Sequence, residues 1–189
     1  MMHRHRRWNT AGLGTLTKSL CFAVLLAAVV VLNAAGEPAA ASVGSAVPRV
    51  GYRAPDITVK TLTGTEVTLG EQLGTPIFIN FFATWCYFCR VEMPHIESLY
   101  EEVGDEVNFM IVDIGESRET VTAYFEAEGW TVPAYLDSTG AAGNRYAVRG
   151  LPTSFFIDSD GVIRDMVIGA MTEARLRQGI ESILSAGSD

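Results

Sequence analysis

The chain has 189 residues, 48% hydrophobic and 19% charged, with a formal net charge of −8. That composition is ordinary for a globular protein and excludes a disordered chain, a collagen and a polytopic membrane protein. Residues 1–49 hold five Lys or Arg against Glu37 alone, so of 14 bases and 22 acids the remainder keeps nine and 21, a net of −12. Such a surface repels phosphate backbones and anionic headgroups, which excludes nucleic acid as a partner and favours proteins, basic ones included.

The amino-terminal segment reads as an address. Arg4, Arg6, Arg7 and Lys18 precede thirteen consecutive apolar residues, Leu20 to Leu32, and a small-residue run follows to Gly36. That is the order of a signal peptide. Counted through Gly36, the 17 residues also reach the lower limit of the roughly 17 to 25 needed to cross a bilayer. Residues 1–36 are therefore a signal peptide or a membrane anchor, with the balance towards an anchor at residues 20–36. Either role puts the rest of the chain outside the cytoplasm, in a periplasm or on the outer face of the cytoplasmic membrane. Residues 37–49, rich in Ala, Ser, Gly and Pro, read as a flexible linker, within which Ala39-Ala40-Ala41 offers a cleavage site. Arg6-Arg7 lacks the apolar residues that follow a twin-arginine pair, and Cys21 stands at the start of the apolar run and not after it, so it reads as a plain membrane-embedded thiol.

Residues 50–189 alternate between short β-rich runs and amphipathic stretches, the pattern of a layered α/β domain. A hairpin is predicted from Ile57-Thr58-Val59-Lys60 to Glu66-Val67-Thr68-Leu69, turning at Gly64. Pro76 opens Ile77 to Phe82, an apolar run suited to a central strand buried on both faces. A helix follows from Cys86 to about Val103, with Met93, Ile96, Leu99 and Val103 on its apolar stripe and Glu97, Glu101 and Glu102 on its polar one; Pro94 removes one helical donor and should kink it. Then come a buried strand, Val107 to Ile114, a helix, Arg118 to Glu128, a short strand, Val132 to Leu136, and a brief helix, Gly140 to Tyr146. Two strands, Thr153 to Ile157 and Val162 to Ile168, flank the turn Asp158-Ser159-Asp160-Gly161, and a last helix, Thr172 to Leu184, begins with Thr172 as its cap. Phe78, Phe81, Phe82, Phe155 and Phe156 read as core.

With Cys21 in the leader, two cysteines remain, Cys86 and Cys89, at the junction of a buried strand and a helix. A sulfur at a helix start faces unpaired N–H groups and the positive end of the macrodipole, which favours its anion and makes Cys86 the attacking group. Cys89 lies one turn on along the same face and can close a small disulfide to release a captured partner. Docking a partner also needs an edge near Cys86, which Leu151-Pro152-Thr153 supplies if the Leu151–Pro152 peptide is cis. Two rival uses of the pair stand beside redox exchange. One is a structural disulfide, although bridges that stabilise close longer loops. The other is a zinc or copper site, for which His95 is the one histidine beyond the leader, His3 and His5 lying within it.

The segment Asn80-Phe81-Phe82-Ala83-Thr84-Trp85-Cys86-Tyr87-Phe88-Cys89, followed by Glu92-Met93-Pro94, resembles the active-site segment of the TlpA, ResA and CcmG group of thioredoxin-like proteins. The likeness runs from Ala54-Pro55-Asp56 to the last helix. It includes Gly150-Leu151-Pro152-Thr153, matching that group's cis-proline loop, and Phe155-Phe156-Ile157-Asp158 with Gly161. The resemblance implies an α/β thioredoxin-like fold, a central mixed sheet flanked by helices with an amino-terminal β-hairpin and a βα insertion. It also implies thiol-disulfide exchange outside the cytoplasm, often as a reductant in cytochrome c assembly, with electrons from a membrane thiol carrier and no cofactor. This chain departs from the group in two places: Phe88 stands where Pro is usual, and Tyr87 is bulky. Thioredoxin itself has a buried Asp at the place of Asn80, and an amide cannot take the resolving thiol's proton. Glu92 matches an acid of the ResA-like proteins and can take that role if partly buried; a solvated helix charge is the alternative.

The sequence thus points to a thiol-disulfide oxidoreductase that reduces exported proteins, apocytochrome c among them, through Cys86, Cys89, Glu92 and Pro152. Trp85, Tyr87, Phe88, Leu151 and Thr153 form its docking surface. Its partners are thiol- or disulfide-bearing exported proteins and a membrane thiol donor. Three rivals are a disulfide oxidase or isomerase, a copper chaperone using Cys86, Cys89 and His95, and a peroxidase.

Overall fold

The computed structural model describes residues 48–186. The leader or anchor at 1–36, Cys21 and nearly all of the linker at 37–49 lie outside the described residues. Strands β1, Thr58–Thr61, and β2, Glu66–Thr68, form the amino-terminal hairpin, with Val59 opposite Val67. Gly64 turns it at φ +94°, a conformation that side chains rarely adopt. Leu69, expected in the second arm, instead starts a 3₁₀ turn, Leu69–Gln72, because its N–H donates to the Ile57 carbonyl and that of Gly70 to Asp56.

Strand β3, Ile77–Phe82, is buried at every position. Helix α1, Tyr87–Val103, follows, then β4, Asn108–Ile114, and helix α2, Arg118–Glu128. Strand β5 spans Ala134–Asp137, helix α3 Ala141–Arg145, β6 Thr153–Ile157, β7 Ile163–Ile168 and helix α4 Glu173–Ser185. Thr172 caps α4 as expected, its hydroxyl accepting the Arg175 N–H at 3.3 Å.

Strand β5 starts two residues later than the apolar pattern suggests. The N–H groups of Thr131 and Val132 donate to the Glu97 carboxylate of α1, at 2.8 and 3.0 Å, and Pro133 has no N–H, so pairing begins only at Ala134. Glu97, placed by its spacing on the polar stripe, is in fact buried by this clamp.

The strands form one seven-stranded mixed sheet in the order β2-β1-β5-β4-β3-β6-β7. Neighbours β3, β4 and β5 are parallel, and the remaining pairs are antiparallel. Phe78 and Phe82 on one face pack with Met93, Ile96 and Leu99 of α1, Val121 and Phe125 of α2, and Leu176, Ile180 and Ile183 of α4. On the other face Ile77, Ile79 and Phe81 pack with Val59, Leu69 and Tyr146. The fold is thioredoxin-like, a mixed sheet between helices.

Register brings the strand ends together. Phe81 pairs with Thr153, so the antiparallel β6 begins beside the carboxyl end of β3; Phe82 pairs with Asp113, so the parallel β4 ends there too. Among the described residues no helix is long and apolar enough to cross a membrane.

Helix α4 lies so close to β6 that a Cβ at Gly179 would come within 2.3 Å of the Phe156 ring. Phe156 is fully buried and cannot yield. Gly179→Ala is therefore expected to destabilise the domain by about 1–3 kcal/mol despite alanine's higher helix propensity, measurable as a lower denaturation midpoint with unchanged slope.

Candidate active site

Cys86 and Cys89 are joined by a disulfide at the first turn of α1, their Cα atoms 5.3 Å apart. Cys86 is the N-cap, with extended backbone, and its Sγ accepts the Cys89 N–H at 3.2 Å. The helix thus begins one residue later than its expected start, and the displaced residue is the sulfur that caps it. That contact, with the open end of the helix, supplies positive potential where a thiolate would form. Cys86 is 7% exposed and Cys89 1%, so an incoming sulfur meets Cys86 first.

The Leu151–Pro152 peptide is cis, in the loop that leads into β6. Gly169 N–H donates to the Pro152 carbonyl at 2.8 Å, and the Thr153 hydroxyl donates to the Gly150 carbonyl at 2.7 Å. Thr153, expected on the docking surface, is buried, and its hydroxyl is occupied within the loop, so it shapes the loop and offers a partner no side chain. Leu151 is half-buried, and neither its N–H nor its C=O finds a partner among the described residues.

Around the disulfide stand three aromatic side chains in solvent, Trp85 at 71%, Tyr87 at 71% and Phe88 at 61% exposure. Ordinary core packing does not account for them. With Cys86, Arg149 and Leu151 they line a cleft of about 480 Å³. Exposed apolar clusters of this kind mark surfaces that meet other molecules.

Behind Cys89 the site is polar and buried. Glu92 has no exposed surface, so a solvated helix charge does not describe it. Its Oε1 accepts from Asn80 Nδ2 at 2.6 Å and its Oε2 from the Met171 N–H at 2.7 Å. Asn80 also donates to Ser154 Oγ at 2.9 Å across the β3–β6 pair. Burial pushes the Glu92 carboxyl up to about 7, outweighing the two hydrogen bonds that favour the charged form. Its oxygens therefore exchange a proton near neutral pH, one helical turn beyond Cys89.

Three acids have roles that the sequence reading does not assign, two of them just before the cysteines. Both Thr84 donors, its N–H and its hydroxyl, bond the Glu116 carboxylate at 2.6 and 2.7 Å, just before Trp85 and Cys86. Glu116 N–H in turn donates to Asp113 Oδ1 at 2.9 Å, and Asp113 is fully buried. The third is Glu97, which ties α1 to the loop before β5. Asp113 alone left a signal, a charge inside the apolar run of β4. His95 is half-buried, and among the described residues no three His, Cys, Asp or Glu side chains cluster closely enough to hold a metal, so His95 does not join the cysteines.

A family model described as the AhpC/TSA family matches residues 50–166. The thiol-disulfide oxidoreductase ResA of Geobacillus thermodenitrificans (strain NG80-2) is 36% identical over 135 residues, covering 71% of this chain and 78% of that protein. The solution structure of a putative protein disulfide isomerase from Bacteroides thetaiotaomicron is 31% identical, with a TM-score of 0.68, covering 74% of this chain and 92% of that one. The crystal structure of a putative thiol:disulfide interchange protein DsbE from Chlorobium tepidum, at 24% identity and a TM-score of 0.65, covers 70% and 95% and shares the fold.

Because the folded state raises Glu92 from 4.5 to about 7, the native protein binds the extra proton between those values. The stability this proton contributes is complete below about pH 4.5 and is lost as pH rises through 7. Glu92→Gln removes that slope. Its stability relative to the parent is expected to rise by roughly 3 kcal/mol between pH 4 and 8, read from denaturant titrations at each pH.

Proposed function

The chain belongs to the AhpC/TSA family and is a thiol-disulfide oxidoreductase of thioredoxin-like fold, and from that premise we propose that it works outside the cytoplasm as a reductant of disulfides in exported proteins, apocytochrome c among them. The observation that carries the exchange is the buried Glu92 one helical turn beyond Cys89, because the resolving thiol must give up its proton to complete each turnover, and the direction follows the resemblance to the ResA group.

The reduced Cys86 thiolate attacks one sulfur of the partner's disulfide. The partner's other sulfur leaves as a thiolate, and Cys86 is held in a mixed disulfide. Cys89 then gives its proton to Glu92, which Asn80 and Met171 hold in place, and attacks Cys86 Sγ. The second partner sulfur leaves, two electrons have passed to the partner, and the Cys86–Cys89 disulfide remains. A membrane thiol donor restores the reduced pair. In this reading Trp85, Tyr87, Phe88 and Leu151 receive the partner, whose extended backbone meets the free N–H and C=O of Leu151 beside cis-Pro152. Residues 1–36 anchor the chain to the outer face of the membrane, residues 37–49 tether it, and residues 50–189 carry the chemistry.

One observation favours a disulfide oxidase or isomerase instead: Cys86 caps a helix, which stabilises the thiolate and hence the reduced form. The reduction potential of the pair decides. A reductant is expected below about −200 mV, whereas a value near −120 mV, typical of strong oxidants, would reverse the direction. Cys89→Ser should accumulate mixed disulfides on Cys86, recoverable under non-reducing conditions, and Cys86→Ser should accumulate none; the opposite pattern would exchange the two roles.

A further inference from the structure

The acids beneath Thr84 are not used by the exchange steps above, and their geometry is demanding. Glu116 receives both donors of Thr84, and its own N–H is given to Asp113 Oδ1. Asp113 lies at the end of β4 with no exposed surface, and its second oxygen, Oδ2, meets no donor among the described residues. The charged groups acting on it are Glu116, from the loop after β4, and Asp137, from the end of β5. Both are acids, and Asp137 is itself buried and held by the Gly143 N–H at 2.8 Å. An ionised Asp113 would be a buried charge facing two like charges with no cation to offset it, an arrangement that folded proteins avoid.

A proton on Oδ2 removes both difficulties. It turns the orphaned oxygen into a donor and supplies a hydrogen bond to the Glu116 carboxylate, the short-range partner it faces. Burial and this bond to Glu116 hold Asp113 up to about 8, while the bonds from Asp113 and Thr84 together outweigh burial and hold Glu116 low.

We propose that Asp113 is a positioning residue for the disulfide: it carries a proton shared with Glu116, and that proton fixes the carboxylate that grips Thr84, two residues before Cys86. Once the proton is lost the two carboxylates repel, Glu116 turns from Asp113, and Thr84 is released together with Trp85, the next residue. The meaning of this for catalysis rests on the exchange chemistry proposed for Cys86, but the geometry is tested without it.

The full chain is kept oxidised, so that neither Cys86 nor Cys89 titrates. Its tryptophans are labelled with 5-fluorotryptophan, and the Trp85 resonance is assigned from a Trp85→Phe spectrum. Between pH 5 and 9.5 the Trp85 ¹⁹F shift is expected to titrate with a midpoint near 8. In Asp113→Asn the amide donates at every pH, so the amplitude should fall at least fivefold. In Glu116→Gln no second carboxylate is left to repel Asp113, so the transition should vanish or move at least one pH unit lower; this variant decides alone if Asp113→Asn does not fold. A Trp85 signal that stays flat in the parent overturns the proposal, as does one that titrates equally in Asp113→Asn or keeps its midpoint in Glu116→Gln. Since the Cys86–Cys89 pair does not react in this experiment, its failure leaves the exchange chemistry standing, and a failed trapping experiment leaves this result standing.

Discussion

Strand β3 is buried on both faces and paired on both sides, in parallel with β4 and antiparallel with β6. Everything at the site hangs from its carboxyl end. The chain leaves the sheet at Phe82, and the turn through Ala83 to Cys86 must deliver a sulfur to the first turn of α1. Because β6 runs the other way, it starts with cis-Pro152 at that same end; because β4 runs the same way, it finishes there with Asp113 and Glu116. A one-residue slip of the β3–β6 pairing would turn Asn80 and Ser154 to opposite faces and break their bond, so the register that builds the core also builds the site.

Much of this was legible in the amino-acid order. Period-two and helical patterns placed every strand and helix within a residue or two, since hydrophobic burial sets those patterns and leaves its period in the chain. The cysteine pair and the Leu151-Pro152-Thr153 loop were legible as motifs. Three acids were not. Glu97, Glu116 and one oxygen of Asp113 are met by groups 34, 32 and 3 residues away, and charge alone does not say whether a carboxylate will meet water or a backbone N–H. The late start of β5 has the same origin. Val132 fits a strand by type, but Glu97 takes the N–H that the strand would have used.

Buried polar groups therefore divide the labour with the apolar core. The two aromatic-rich faces of the sheet supply the driving force, while the carboxylates fix positions that hydrophobic contact leaves loose. Glu97 sets the exit of α2 against α1. Glu92 joins β3, through Asn80, to the chain entering α4, through Met171, so the last helix of the fold is coupled to the resolving cysteine. Glu116 sets the turn that carries Trp85.

The three aromatic side chains around the disulfide have a consequence for the protein's behaviour in a crowd of its own copies. A greasy mouth with a reactive sulfur at its centre invites a reduced copy to attack an oxidised one, an exchange that Cys89 resolves with no net change and that occupies both copies meanwhile. The excess of twelve negative charges on residues 50–189 opposes that encounter over about 8 Å at physiological ionic strength. Self-capture is slowed by colloidal repulsion, while neutral and cationic chains approach the same rim unhindered.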